Sequence, residues 1–175
     1  KFRLSATDEG QFIEKLTIVA SATGENTDAA ANVKSVALTY KNKAGSTLTT
    51  TQSFENTASV NFNWATTDAN RPYVPQDSSL DVAVNANMKT KTEGATQTNA
   101  APQEVFFSLD LGDRYVTYAD GFRAVGDGSG TVLDGSSSGI NWTAGSNNQY
   151  VYRVFPKLDV VPLAGGPGSL TGTPV

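Results

Sequence analysis

The stretch Val60-Asn61-Phe62-Asn63-Trp64 alternates apolar and polar residues without a break. A period of two sends successive side chains to opposite faces of an extended strand, so this segment is built to cover a core with one face and meet water with the other. The same period recurs in Phe2, Leu4 and Ala6, in Val36, Leu38 and Tyr40, in Leu80, Val82, Val84 and Ala86, and in Phe107, Leu109 and Leu111. Hardly any stretch sustains the i, i+3, i+4 spacing of an amphipathic helix. The prediction is an all-β chain, an immunoglobulin-like or jelly-roll β-sandwich of roughly ten strands with an extended C-terminal segment. Its core is expected to hold Leu38, Tyr40, Phe62, Trp64, Leu80, Val82, Val84, Phe107 and Leu109.

Turn signals divide the strands. Asp8-Glu9-Gly10 turns the first strand into a second over Phe12 to Ala22, and Thr23 to Ala31 reads as a loop. Asn42-Lys43-Ala44-Gly45 is a hairpin turn between Val33 to Lys41 and Ser46 to Phe54. Arg71-Pro72-Tyr73-Val74-Pro75 is expected to be an extended link, because proline lacks a ladder donor and restricts the residue before it. Thr90 to Pro102 is polar and reads as an exposed excursion. Tyr115 to Val125 is expected to form a strand, followed by glycine- and serine-rich turns around Val132 and Leu133. Tyr150 to Phe155 reads as a further strand. The predicted organisation is one sandwich domain over residues 1–157 and an extended Pro/Gly-rich linker or donor segment over 158–175.

Composition removes several classes of chemistry. Cysteine and histidine are both absent, so disulfides, thiolate catalysis, the commonest metal ligand and the usual neutral-pH acid and base are missing. The reading is that this is not an enzyme. Thirteen basic against 17 acidic residues leave a net charge of −4, which opposes a nucleic-acid partner. No apolar run approaches the ~20 residues that cross a bilayer as a helix, so no membrane span is expected. Ser, Thr, Asn and Gly are abundant while Leu, Lys and Glu are sparse, a bias that resembles secreted surface proteins.

Candidate sites carry weak signals. Asp110, Asp113, Asp120, Asp127 and Asp134 lie near glycines and could offer oxygen ligands to calcium, but their spacing lacks the alternation of an EF-hand loop. Turn-forming aspartates and solvated loop charges are the better account of them, and no cofactor is assigned. Trp64, Trp142, Tyr73, Tyr115, Tyr118 and Tyr150 could form a sugar-binding platform, yet both tryptophans alternate with polar residues as core positions do. Asn141-Trp142-Thr143 is a glycan acceptor triplet. Lys15, Asn85, Asn87 and Asp81 have the residue types of an intramolecular isopeptide bond.

The segments "KFRLSATDEGQFIEKLTI", "NVKSVALTYKNKAGSTLTT", "YVPQDSSLDVAVNANM" and "YVYRVFPKLDVVPL" together resemble tandem immunoglobulin-like repeats of large bacterial surface, S-layer-type or filament-forming proteins. That resemblance covers most of the chain and implies a cell-surface or filament-building role with no catalytic residues; no Leu-Pro-x-Thr-Gly anchor accompanies it. The chain opens within a strand and closes on a Pro/Gly run, so each end is expected to be completed by another copy. The resulting expectation is an extracellular or cell-surface structural subunit of a filament, surface layer or adhesin stalk, whose partners are copies of itself joined head to tail by strand addition. The self-assembly residues would be Phe2, Leu4, Val160, Leu163, Leu170 and Val175. A carbohydrate- or host-protein-binding module and a viral jelly-roll capsid or tail protein are the alternative readings.

Overall fold

The computed structural model describes residues 1–23, 33–54, 59–89, 103–110, 121–134 and 150–154. Within them the chain is all β, in two antiparallel sheets. Eleven strands are formed, close to the expected number: β1 (Phe2–Ala6), β2 (Gln11–Thr23), β3 (Val33–Lys41), β4 (Thr47–Ser53), β5 (Ser59–Asn63), β6 (Tyr73–Val74), β7 (Ser78–Met88), β8 (Gln103–Asp110), β9 (Phe122–Gly126), β10 (Val132–Asp134) and β11 (Tyr150–Val154).

One sheet has four strands in the order β1-β7-β3-β4. Its registers align the apolar rows read from the sequence. Leu4 stands opposite Leu80, Phe2 opposite Val82, Leu38 opposite Val84 and Tyr40 opposite Leu48. All of these residues are buried or packed against the core, and each large aliphatic or aromatic side chain withdrawn from water contributes about 1.5–3 kcal/mol. The hairpin between β3 and β4 closes as a three-residue loop. The Gly45 N–H donates to the Asn42 carbonyl at 2.9 Å and the Ser46 N–H to the Asn42 side-chain oxygen at 2.9 Å. Gly45 takes φ of +81°, the left-handed conformation this loop type needs after its first turn.

The second sheet is organised around β2, whose two edges are each covered by an interrupted strand. Thr17, Ile18 and Val19 pair with both β5 and β8, while Lys15 and Leu16 pair with both β5 and β9. A strand has two edges, so β5 and β6 share one and β8 and β9 share the other. Asp110 of β8 lies opposite Thr17 and Phe122 of β9 opposite Leu16. The partner along this edge of β2 therefore changes from β9 to β8 between Leu16 and Thr17. On the other edge the Trp64 N–H donates to the Glu14 carbonyl and the Ile13 N–H to the Pro72 carbonyl, both at 2.9 Å, so residues 65–71 form an excursion between β5 and β6. β10 and β11 extend the sheet beyond β9 and β8.

The Arg71-to-Pro75 segment departs from its expected role as a link, because Tyr73 and Val74 pair with Phe12 and Gln11 as β6. Proline retains its carbonyl, and the Ile13 N–H uses that acceptor. The strand expected over Tyr115 to Val125 is found as Phe122–Gly126, its earlier part falling outside the described residues.

β5 lies against β4, and β6, further along the same edge of β2, lies against β7 and β1. That line of the second sheet thus runs across the strands of the first, as in crossed sheet packing. Phe54, Phe62, Phe107, Ile13, Leu16, Ile18, Leu38, Val36 and Val82 are fully buried between the sheets. Every predicted core residue is buried except Leu109, which is partly buried and packed against the same cluster.

Candidate functional site

The strand β1 carries the two described members of the expected assembly interface. It is an edge of the four-stranded sheet, paired on one side with β7. Phe2 and Leu4 alternate inward and are half-buried. Lys1 and Arg3 point the other way, where the Lys1 Nζ reaches Asp81 Oδ2 at 2.7 Å and the Arg3 Nε reaches Asp81 Oδ1 at 2.8 Å. The Arg3 hydrogen bonds, followed by the Lys1 contact, hold the Asp81 carboxyl well below the usual carboxylate range. Val160, Leu163, Leu170 and Val175 lie outside the described residues, as does the whole segment 158–175.

A second constellation, which the sequence reading missed, sits at a bulge in β2. The register against β9 shifts between Ile13, opposite Ala124, and Lys15, opposite Arg123, leaving Glu14 as the extra residue. Strict alternation would place Ile13 and Leu16 on opposite faces; the bulge turns both into the core and re-aims the intervening carboxylate. Glu14 is buried, 6% exposed. The Arg71 Nη1 donates to its Oε1 at 3.0 Å and the Arg123 Nε to its Oε2 at 2.9 Å. Burial pushes this carboxyl up, but hydrogen bonds from Arg123 and Thr66 and the two guanidinium charges outweigh it, and the net shift is downward.

The network continues outward. The Arg71 Nε donates to the Asp68 carbonyl at 3.0 Å, and its guanidinium stacks 4.0 Å from the centre of the Phe12 ring. Phe12 packs on Tyr73 with centroids 5.0 Å apart, and the Tyr73 hydroxyl donates to Asp127 Oδ2 at 2.9 Å. Lys43 Nζ reaches both Asp127 oxygens at 2.7 Å and lies 5.4 and 5.5 Å from the Phe12 and Tyr73 rings. Next to it, the Glu9 carboxylate accepts the Ser129 hydroxyl and the Ser129 and Gly128 N–H groups. Those three donors, led by the hydroxyl, hold the Glu9 carboxyl below its ordinary value. A Cβ at Gly126 would stand 2.2 Å from Glu9 Oε1, so a side chain there would push the Glu9 carboxylate off its Ser129 and Gly128 donors.

Chemically this constellation is a strut. Its central carboxylate is kept ionised by two guanidiniums, and the contacts tie the 65–71 excursion, the β3–β4 hairpin and the β9–β10 turn to β2. Among the described residues no three acidic, histidine or cysteine side chains converge as a metal site. Asp127, one of the five acids read as calcium candidates, accepts Lys43 and Tyr73. Asp110 ends β8 and Asp134 ends β10, and Asp113 and Asp120 lie outside the described residues.

Of the candidate aromatics, Trp64 is in the core. Its Nε1 donates to the Tyr40 hydroxyl at 2.9 Å, and its ring stacks on Phe62 with centroids 6.3 Å apart. Tyr73 belongs to the strut, Tyr150 begins β11, and Tyr115, Tyr118, Trp142 and the Asn141 triplet lie outside the described residues. The isopeptide candidates are divided. Lys15 is on β2, whereas Asn85 and Asn87 are exposed on β7 of the other sheet and Asp81 is engaged by Lys1 and Arg3. Among the described residues no helix is long and apolar enough to cross a membrane. No family model, no curated protein and no solved structure matches this chain.

Proposed function

We propose that this chain is a structural β-sandwich unit of an extracellular filament, surface layer or adhesin stalk, with copies of itself as principal partner. The observation that carries this reading is β1: an edge strand, paired on one side only among the described residues, with the half-buried apolar side chains Phe2 and Leu4 along its inner face. An extended segment added beside such a strand gains main-chain hydrogen bonds from the edge, and its alternate side chains gain cover beside Phe2 and Leu4. The apolar positions Val160, Leu163, Leu170 and Val175, punctuated by Pro162, Pro167 and Pro174, suit a donor of this kind, since proline is tolerated at a sheet edge and excluded from its centre. Contacts made head to tail that do not close into a ring give open fibres.

The test is deletion of Pro162 to Val175, followed by light scattering and electron microscopy. The shortened chain is expected to keep the circular dichroism and melting of the sandwich and to lose assembly. A shortened chain that assembles as well as the full one contradicts the joint.

A further inference from the structure

The opposite edge of the four-stranded sheet is built differently from β1. β4 reads Thr47-Leu48-Thr49-Thr50-Thr51-Gln52-Ser53, seven residues with no charge, no proline, no glycine and no bulge against β3. Sheet edges of that length are ordinarily blunted by such features, because unpaired backbone groups template the addition of another strand. Among the described residues no strand lies beyond β4.

The hydrogen-bond phase shows which groups that edge offers. Antiparallel ladders alternate hydrogen-bonded and non-hydrogen-bonded pairs. The Phe54 N–H donates to the Lys34 carbonyl at 3.0 Å and the Asn42 N–H to the Ser46 carbonyl at 3.1 Å. Both pairs, and the register between them, place the even-numbered residues of β4 in the bonded phase toward β3. Thr47, Thr49 and Thr51 therefore turn their N–H and C=O groups to the open side, and their side chains are exposed.

We propose that this edge pairs with the same edge of a second copy, antiparallel about a two-fold axis through Thr50, giving one continuous sheet across two molecules. Only odd residues can bond across the joint, so the register must match odd with odd. Of the registers allowed, the one placing Thr49 opposite Thr51 of the second copy is centred on Thr50, the middle residue of β4. Thr49 and Thr51 then exchange both main-chain bonds twice, once on each side of the axis. The threonine side chains form cross-strand pairs of the kind that favour strands. The occupant is a second copy because the edge is complementary to itself and neutral. In a chain of net charge −4, like-charged molecules meet here along a strand that carries no charge.

Such a contact is isologous and closes on itself, so it is separate from the head-to-tail joint proposed above. A fibre that carries both would associate sideways into ribbons or layers. The chain contains no cysteine, which makes the geometry directly testable. In the full chain, Thr50→Cys places one thiol beside its symmetry mate, about 4.5 Å apart between Cα atoms if the axis passes through a non-bonded pair. Under mild oxidation it is expected to form a disulfide-linked dimer at least tenfold faster than Ser46→Cys in the hairpin loop. Adding Thr51→Lys should remove that difference without moving the melting temperature. Equal cross-linking at the two positions, or a folded Thr50→Cys chain that stays monomeric, overturns the proposal. Sedimentation of the cysteine-free chain provides the second measurement. Dimer that disappears in Thr51→Lys supports the contact, and monomer at every concentration, or dimer indifferent to Thr51→Lys, contradicts it. Deleting Pro162 to Val175 removes the other joint and leaves this one, so the two proposals fail separately.

Discussion

The two sheets solve the problem of their edges in opposite ways. The seven-stranded sheet lines each edge of β2 with two successive strands, and Glu14 on β2 fastens Arg71 of the 65–71 excursion and Arg123 of β9 to it. The four-stranded sheet is regular, but ends in β1 on one side and β4 on the other, strands with a single partner among the described residues. Its β1 edge bears the charges of Lys1 and Arg3, and its β4 edge bears none. The difference teaches that this fold concentrates its bulged and ion-paired contacts around β2 and leaves the four-stranded sheet with two singly paired edges among the described residues, which are the edges the proposed joints would use.

The largest effect is expected where the sheets share a core. Phe62 is fully buried and stacks on Trp64, so Phe62→Ala should cost roughly 3–5 kcal/mol in denaturant unfolding. If the two sheets are one cooperative unit, fluorescence and circular dichroism will report one transition; separate transitions would break the comparison by showing that the sheets melt independently.

Glu14→Ala comes next, at about 3 kcal/mol, because it leaves the Arg71 guanidinium largely buried without its carboxylate. The same residue gives the fastened sheet a pH signature. Its folded-state pKa is depressed, so the stability it contributes is complete above the ordinary glutamate value of about 4.3 and is lost as pH falls through the folded value. Urea midpoints of the native chain should fall over that acidic range more steeply than those of Glu14→Gln. Parallel curves would show that the strut carries no linkage.

A smaller effect, about 1–2 kcal/mol, is expected for Tyr40→Phe, which removes the acceptor of the buried Trp64 Nε1. Melting curves of that variant measure what the Tyr40 hydroxyl adds through its two contacts, with Trp64 Nε1 and with Thr50 Oγ1 at 3.0 Å. Arg3→Ala should be the least disturbing. Its pair with Asp81 is at the surface and screened by salt, so the melting temperature should stay within experimental scatter. A clear loss of stability would show that β1 depends on its charges to remain in the sheet.

The regular sheet was readable because each strand declares its own period. Leu80, Val82 and Val84, like Val36, Leu38 and Tyr40, announce a face without reference to any partner. The fastened sheet was harder to read because its defining contacts are remote. Glu14 meets residues 57 and 109 positions away, and spacing along the chain carries no record of such a pairing. One local signal was present. Ile13 and Leu16, both apolar and three apart within a strand, cannot share a face unless an extra residue intervenes, and Glu14 is that residue. The β6 strand was hidden by Pro72, whose missing donor argued for a link although its carbonyl was free to accept. At the proposed joint, the alternation of Phe2 and Leu4 was legible and their place on an edge strand was not, since an edge is defined by what fails to pair beside it.

Whether copies of this chain join one another is tested most directly by electron microscopy of the native material. Threads, ribbons or layers with a regular repeat are the predicted result. Monodisperse single particles would contradict the proposed joining.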